Sequence, residues 1–332
     1  MTIIATLHNS GSLVYQLLQR LSLHRDEGHE IVLVDDGSTD GTADRLREYA
    51  DRCSGVKLIA SAESHGVARA RSLGLSEARG DFVWFVDDDD AWDPTIVSQF
   101  LRAARESGAD IVVCRADLRR TEGGVGTVID GIDADIVVSR DDAWSLLLAG
   151  KLNGYLWNKM IKRTLLGADP FERLSSQSDF TGVARAVARC RSVRFIPGIL
   201  YFHMVREGSI TRSRDPKLQN LQRAHDVALE LHSGPMNQSL ESAAVSFFTA
   251  WFLVLPLGNT PTRVGANWST RFDGLTLARQ VTRGLLMADV RAYSWRVYVT
   301  VLLMTKFGVP YLLALDFAHR VRRLGRMIGE RK

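Results

Sequence analysis

The chain has 332 residues, of which 45% are hydrophobic and 24% are charged. This ordinary globular composition excludes wholesale disorder and fibrous repeats, and the length suits one large or two modest domains. The formal net charge of +4 is uneven: residues 263–332 hold 13 Lys and Arg against 4 Asp and Glu, a net of +9, so the preceding residues carry −5. A slightly acidic body with a basic final segment is unlike a uniformly basic nucleic-acid binder, so we expect no nucleic-acid partner.

The cysteines and the N-terminus bear on the compartment. Cys53, Cys114 and Cys190 are odd in number and form no CxxC pair, which argues against a disulfide framework or a cysteine zinc site. The first residues, MTIIATLHNSGS, lack a basic stretch followed by an apolar one, so we expect no signal peptide. We therefore expect a cytoplasmic protein.

Strand and helix patterns alternate over the first 116 residues, which predicts the α/β class with a mostly parallel sheet covered by helices on both faces. The predicted strands are Thr2–Leu7, Glu30–Val34, Val56–Ala60, Phe82–Val86 and Ile111–Ala116. The predicted helices are Ser10–Leu23, one with Ser38 or Thr39 as N-cap, His65–Ala78, and one that runs from Asp93 as N-cap and Pro94 as first residue to Ser107.

The pattern is looser after Ala116. Helices are predicted over Arg140–Ala149 and Asp179–Arg189, Leu156–Leu165 is another amphipathic stretch, and short strands are predicted at Val193–Ile196 and Ile199–His203. A second region, mostly helical in pattern, begins near Pro216. We therefore divide the chain into residues 1–215 and 216–332.

Two stretches of the second region are apolar, Ala243–Gly258 and residues 297–315. The first falls short of the roughly 20 residues that a membrane-spanning helix needs, and the second is interrupted by Lys306. Buried core helices and membrane-surface helices both fit these stretches. The final segment places Phe317, Val321, Leu324 and Ile328 on one helical stripe.

Carboxylates cluster after two of the predicted strands. Asp35 and Asp36 follow the second strand, and the run Asp87–Asp90 follows the fourth. In an open parallel sheet, ligands bind beyond the carboxyl ends of the strands. Four adjacent carboxylates repel one another and imply a positive partner, which favours Mg²⁺ or Mn²⁺ held together with substrate phosphates. The alternative is a solvated acidic turn that caps the next helix.

An ordered series of motifs accompanies these acids: IIATLHN, IVLVDDGSTDGT, SHGVARARSLGL, ARGDFVWFVDDDDAW, LWNKMIKRTLL, SDF and LYFHMVREGSIT. In this order and spacing, over roughly residues 2–212, the chain resembles the family 2 glycosyltransferases of GT-A fold. The resemblance implies a Rossmann-like, mostly parallel sheet with flanking helices. It also implies that residues 1–116 form the nucleotide-binding half of a catalytic domain and residues 117–215 the acceptor-binding half.

The resemblance implies nucleotide-sugar contacts at Thr6, His8, Asn9, Asp36, Arg71, Asp87 and Asp88. Only Asn9 is kept from the family's usual first-strand loop, and Ser72 replaces the Asn that commonly follows the family's Arg. Arg71 could instead form an ion pair with the acidic cluster.

The same resemblance implies Asp89 and His203 as metal ligands and Asp179 as the catalytic base. Ser178 replaces the Glu that precedes this base in the family. For His203 a packed, hydrogen-bonded histidine is the alternative, and for Asp179 an acid at a helix start. Trp157 fits a core position or an acceptor platform.

The expected function is inverting transfer of a sugar from a nucleoside-diphosphate sugar, with UDP as the leading nucleotide, to a hydroxyl of a glycan or lipid-linked acceptor in cell-surface polysaccharide synthesis. The expected cofactor is Mn²⁺ or Mg²⁺. Two alternatives stay open: a non-catalytic sugar-nucleotide or glycan-binding scaffold with a degenerate site, and a nucleotidyltransferase. The latter needs a Gly-rich phosphate loop with a Lys after the first strand, which Asn9-Ser-Gly-Ser does not supply.

The basic final segment predicts a partner surface. Its net charge and its apolar stripe suit an anionic membrane, so we expect residues from about Arg291 onward to attach the chain to the inner face of the plasma membrane without crossing it. Trp295, Tyr298 and Tyr311 are residue types that favour the membrane interface. The alternative is that the stripe packs on the catalytic domain.

Overall fold

The structure, a computed structural model, describes residues 1–120, 124–204, 216–232 and 242–329, with side chains as far as Val321. It divides into two compact units. The first comprises residues 1–147, 151–207 and 231–237, and the second comprises residues 148–150, 208–230 and 238–332. The end of the LYFHMVREGSIT motif, from Val205, lies outside the described residues.

Within these described residues, the first unit contains a mixed sheet of ten strands, numbered β1 to β10 in chain order. Their spatial order is β3-β2-β1-β4-β9-β6-β10-β5, with β7 paired to β6 and β8 to β10. The ladders of β1 with β2 and β4, of β2 with β3, and of β6 with β10 are parallel. The strands are β1 (Thr2–Leu7), β2 (Glu30–Asp35), β3 (Val56–Ala60), β4 (Phe82–Asp87), β5 (Ala91–Trp92), β6 (Ile111–Arg119), β7 (Thr127–Asp130), β8 (Ile136–Ser139), β9 (Lys159–Lys162) and β10 (Ser192–Met204). The predicted α/β class with a mostly parallel sheet is confirmed, and β9, antiparallel to both β4 and β6, makes the sheet mixed.

Helices flank this sheet because its central strands are apolar on both sides. Ile31–Val34 of β2 are fully buried. Helix α3 lies close to β1, since a Cβ on Gly74 would lie 2.4 Å from Ile4 Cγ2. The helices of the first unit are α1 (Leu13–Asp26), α2 (Thr42–Arg52), α3 (Val67–Glu77), α4 (Ile96–Ser107), α5 (Arg140–Leu148) and α6 (Ser178–Arg189).

Two predicted helix starts are wrong because local turns precede the helices. Helix α2 has Gly41 as N-cap, at φ +84°, rather than Ser38 or Thr39, because Asp40 first closes a turn by accepting the Thr42 N–H. Helix α4 has Thr95 as N-cap. Asp93 Oδ1 accepts the Thr95 N–H at 2.8 Å, so Asp93 caps the turn before the helix.

Two other segments differ from the sequence pattern. The amphipathic stretch Leu156–Leu165 is not a helix; it forms β9 and a 3₁₀ turn over Arg163–Leu165. The two short strands predicted around Pro197-Gly198 are one strand, β10, with register shifts between Ile196 and Tyr201.

The second unit is helical, as predicted. Its buried core includes Leu253, Leu257, Val301, Met304 and Leu312. Its helices are α7 (Leu218–His232), which ends in the first unit, α8 (Ser242–Phe248), a π-helical segment (Thr249–Val254), α9 (Leu255–Val264), α10 (Trp268–Thr282), α11 (Met287–Tyr293), α12 (Trp295–Phe307) and α13 (Val309–Gly329).

Among the described residues, the continuous helical segment Ala243–Val264 is long and apolar enough to cross a membrane, with a mean hydropathy of 1.4. Of the most apolar 18 residues of this segment, 61% are buried inside the structure, as expected of a core helix. Helices α12 and α13 together also pass this test, but they are bent by 120° where they join at Gly308.

Candidate active site

The predicted acid clusters meet at one edge of the sheet. Thr6 in β1 lies opposite Asp87 in β4, and Leu7 lies opposite Asp35 in β2. The carboxyl ends of three neighbouring parallel strands therefore line up, which is where an open α/β sheet binds its ligand.

The loop after β1 is tied to the loop after β2. His8 Nδ1 donates to the Asp36 carbonyl at 2.8 Å, and the Thr39 N–H donates to Asn9 Oδ1 at 2.8 Å. Asn9 adopts a left-handed conformation, at φ +52°. His8 and Asn9 are exposed and Thr6 is half-buried, so this loop presents polar side chains at the strand ends.

Asp36 organises the segment that leads to α3. Its carboxylate accepts the Ser64 hydroxyl at 2.7 Å, the His65 N–H at 2.9 Å and the Gly66 N–H at 2.8 Å. Burial raises the pKa of Asp36, but these hydrogen bonds outweigh it and hold the pKa below its ordinary value. The ionised carboxylate thus holds the loop before α3 in place. Its contact with a nucleotide stays a prediction.

Arg71 joins three elements at the strand ends. From α3, its Nη2 lies 3.3 Å from Asp87 Oδ1, and its Nη1 donates to Ser178 Oγ on α6 at 3.4 Å. The ion pair that the sequence left open is therefore present. The same guanidinium brings the start of α6, with Asp179, to the acidic cluster.

The acidic cluster is electrostatically crowded at Asp87. Burial raises the pKa of Asp87, Arg71 lowers it, and the charges of Asp90, Asp88 and Asp179 raise it further, to about 6. Four carboxylates therefore share one neighbourhood, and among the described residues the Arg71 guanidinium contacts it. Such a site stabilises an added cation, which would return the pKa of Asp87 toward its ordinary value.

Asp179 lies in the first turn of α6. Its Oδ1 accepts the N–H of Phe180 at 3.0 Å, and the side chain is half-buried. Asp179 is therefore an acid at a helix start, and the structure adds that its carboxylate is close enough to Asp87 to raise the pKa of that group.

Sequence reasoning gave no individual role to Asp90, which is fully buried and fixes His203. Asp90 accepts the Tyr201 hydroxyl at 2.8 Å, the Met204 N–H at 2.8 Å and the Nδ1–H of His203 at 3.0 Å. Burial lowers the pKa of His203, but the hydrogen bond with Asp90 and nearby charges, including that of Asp89, raise it above the ordinary value. With Nδ1–H donated to a carboxylate, Nε2 is the atom left to face a ligand.

A stack of aromatic rings packs against the face of the His203 ring. The Trp157 ring lies parallel to His203, with centroids 5.7 Å apart, and stacks on Tyr201 at 4.8 Å and Tyr155 at 4.6 Å. Trp157 is only 4% exposed, so it is a core residue.

The residues fit a divalent metal only in part. Among the described residues, no three or more His, Cys, Asp and Glu side chains group closely enough to hold a metal ion by themselves. Mg²⁺ and Mn²⁺ sites commonly use one or two carboxylates and complete the shell with phosphate oxygens and water. Asp89, with His203 oriented by Asp90, matches that smaller donor set, so both stay predicted ligands.

A buried ion pair under the LWNKM motif was also missed. Lys159 is 1% exposed, and its Nζ donates to Asp130 Oδ2 at 2.8 Å and to Asn158 Oδ1 at 2.7 Å. Asn158 also donates to Asp130 and to the Cys114 carbonyl, which ties the motif to β6. A Lys within an apolar run was the available signal, because a buried ammonium needs a partner.

Comparison with known proteins identifies the family. Residues 2–170 match glycosyl transferase family 2. The chain belongs to this family.

Relatives in glycosyl transferase family 2 are distant. Over 227 residues the chain is 28% identical to the putative glycosyltransferase EpsH of Bacillus subtilis, covering 65% of this chain and 64% of that protein. It is 22% identical to the glycosyltransferase GlyG of Streptococcus pneumoniae over 222 residues, which cover 64% of this chain and 73% of GlyG. It is 27% identical to the cholesterol galactosyltransferase of Borreliella burgdorferi over 194 residues, 55% of this chain and 54% of the relative.

Solved structures confirm the GT-A fold expected of a family 2 glycosyltransferase. S. aureus TarS in complex with UDP-GlcNAc superposes with a TM-score of 0.68 at 19% identity, covering 92% of this chain and 91% of that one. The mannosyltransferase PcManGT of Pyrobaculum calidifontis, in complex with GDP-Man and Mn²⁺, gives 0.52 at 17% identity, covering 97% and 86%.

Proposed function

We propose that the chain transfers a sugar from a UDP-sugar to a hydroxyl group of a glycan or lipid-linked acceptor, with inversion, in cell-surface polysaccharide synthesis. The observation that carries the proposal is the contact of Arg71 with both Asp87 and Ser178, because it sets the Asp179 carboxylate beside the strand ends. The choice of UDP is supported by the complex of TarS with UDP-GlcNAc.

The chain's own charges suit a departing diphosphate. Negative charge grows on this group as the bond to the sugar breaks, and fixed positive groups that await it lower the barrier. Arg71, only 8% exposed and held by two elements, is such a group. A divalent cation bound by Asp89 and His203 would supply further neutralisation as a Lewis acid.

The acceptor needs a base. Its hydroxyl oxygen bonds to the anomeric carbon on the face opposite the diphosphate, the bond to the diphosphate breaks, and the hydroxyl proton passes to Asp179. One displacement with no protein nucleophile gives inversion.

The test replaces Asp179 by Asn. We expect D179N to keep donor binding, measured as a thermal shift with UDP-sugar, but to lose at least ~100-fold in the rate of UDP release with acceptor. The matched control is D142N, since Asp142 is also an acid in the first turn of a helix and is exposed. A full rate in D179N, or an equal loss of donor binding, would remove Asp179 from the role of base.

A panel of sugar nucleotides, with and without Mn²⁺, distinguishes this function from its alternatives. Donor binding without UDP release to any acceptor or to water would indicate a non-catalytic scaffold. Formation of a sugar nucleotide from a sugar phosphate and a nucleoside triphosphate would indicate a nucleotidyltransferase.

A further inference from the structure

Helices α12 and α13 carry an apolar surface that faces outward. Trp295 is 64% exposed and Phe317 is 69% exposed, although both are large apolar side chains. We call this surface the apolar face and define it as Trp295, Leu302, Leu303, Phe307, Val309, Leu313, Phe317 and Val321, all of which are exposed.

The spacing of these residues shows a continuous stripe on each helix. On α13, Val309, Leu313, Phe317 and Val321 recur every four residues, the spacing of one helix face. The opposite sides of both helices hold the residues that build the core of the second unit, among them Val301, Met304 and Leu312. Both helices are therefore apolar on two sides, and within the part of the chain that the structure describes one of these sides is buried in the core and the other is exposed.

The bend between the helices has a local cause. Gly308 has φ +57°, a backbone conformation that favours glycine, and a Cβ there would lie 2.4 Å from Nη2 at the flexible end of Arg279. Arg279 also donates to the Thr305 carbonyl at the end of α12. Helix α12 has 13 residues, about 20 Å at 1.5 Å per residue, which is shorter than the hydrocarbon core of a bilayer.

The charges around the apolar face are mostly positive. Arg296, Lys306 and Arg320 are exposed on α12 and α13. The one carboxylate within residues 295–321, Asp316, is already engaged by Arg271 at 3.3 Å and by Arg320 at 2.8 Å. Exposed cationic side chains among apolar ones, with a Trp at one end, match the headgroup region of an anionic lipid leaflet.

Not all of the predicted interface residues from Arg291 onward are exposed. Tyr298 and Tyr311 are partly buried against the helical core, and the Tyr311 hydroxyl donates to Asn259 Oδ1 at 3.0 Å, so Trp295 is the exposed interface residue of the three. Phe317 and Val321 are exposed rather than packed. Leu324 and Ile328 lie outside the described side chains.

We infer that the apolar face docks the chain onto the surface of an anionic bilayer, with α12 and α13 lying shallowly in the headgroup region. Bound this way, the chain sits on the inner face of the plasma membrane and does not cross it. The apolar side chains enter the acyl boundary, while Arg296 and Lys306 meet lipid phosphates.

The first test is sedimentation of the full chain with vesicles of phosphatidylcholine alone or with 30% phosphatidylglycerol, at low and high salt. We expect binding to the anionic vesicles that weakens with salt, and at least a tenfold loss in the double variant L313E/F317E. The matched control is L23E/V125E, two exposed apolar residues of the first unit, which should bind as the wild type does. The variant R296Q/K306Q should bind more weakly and show less salt dependence.

A second measurement stays informative if an acidic substitution disturbs folding. Brominated lipids quench tryptophan fluorescence at the bilayer surface, and we expect quenching of the wild type that falls in W295F. Absence of wild-type binding at low salt, or unchanged binding by a folded L313E/F317E, overturns the inference. The inference is also overturned if the chain does not bind the vesicles but self-associates and L313E/F317E abolishes the self-association, because a second copy would then cover the apolar face.

Discussion

Asp90 offers the most direct test of how the site is held together. Replacing it by Ala removes the acceptor for the Tyr201 hydroxyl, the Met204 N–H and the His203 Nδ1–H. Tyr201 is completely buried, so no water can reach its hydroxyl, whereas Met204 and His203 are half-buried. The three donors therefore lose their partner at unequal cost.

The magnitude follows from burial. A fully buried orphan donor costs about 1–3 kcal/mol, and a lost hydrogen bond at a partly exposed group costs about 0.5–1.5 kcal/mol. Loss of the Asp90 carboxylate also removes its electrostatic repulsion with Asp87, which raises the pKa of Asp87 in the wild type. We expect D90A to lower the free energy of unfolding by about 2–4 kcal/mol after this offset.

Urea unfolding followed by tryptophan fluorescence measures this loss, because Trp84, Trp92 and Trp157 all contact the Tyr201 ring. The matched control is D93A, which removes a half-buried carboxylate of the same segment that caps the turn at Thr95 and should cost about 1 kcal/mol. Y201F combined with D90A should cost less than the sum of the single changes, because the hydroxyl is then no longer left unpaired. A D90A protein as stable as D93A would refute the bonding that the structure shows.

Two other changes test the metal and the response to acid. D89N should abolish Mn²⁺-dependent donor binding and turnover without changing the thermal unfolding temperature, because an amide keeps the size of the side chain but not the charge that holds a hard cation. The control is D93N. Full activity of the wild type in excess chelator would contradict the predicted metal site. Burial raises the pKa of Asp110, but hydrogen bonds from Arg191 and Lys162 outweigh it and lower the pKa from 3.8 to about 2, so D110N should cost about 2 kcal/mol at neutral pH. Because a lowered pKa stabilises the fold above 3.8 and that contribution is lost as the pH falls through about 2, the gap between wild type and D110N should shrink over that window; a gap equally large at both ends would contradict the assignment.

The sequence alone determines the first half of the sheet and the place of the site. Runs such as Ile31–Val34 have no polar side, so they can only be strands or helices buried on both faces, and the helical periods between them decide for strands. Acids directly after two such strands must then share one edge, as the registers of Leu7 with Asp35 and of Thr6 with Asp87 confirm.

Local chemistry misleads where a turn competes with a helix start. Ser38, Thr39 and Asp93 have side chains that cap turns as well as helices, so composition cannot separate the two. The amphipathic stretch Leu156–Leu165, which contains β9, is similarly ambiguous, because the four residues of the strand are too few to show a period.

Only the tertiary structure assigns partners that are distant in the chain. Lys159 can be buried because Asp130, 29 residues earlier, meets its ammonium group. Asp90 differs from its neighbours in the acidic run because Tyr201 and His203, more than 100 residues later, donate to it. In α12 and α13 the sequence shows only that apolar residues lie on more than one side of each helix. Packing of the second unit decides that Val301 and Met304 face the core and that Leu302 and Leu303 face outward, because a helix can bury just one side against a single neighbouring layer.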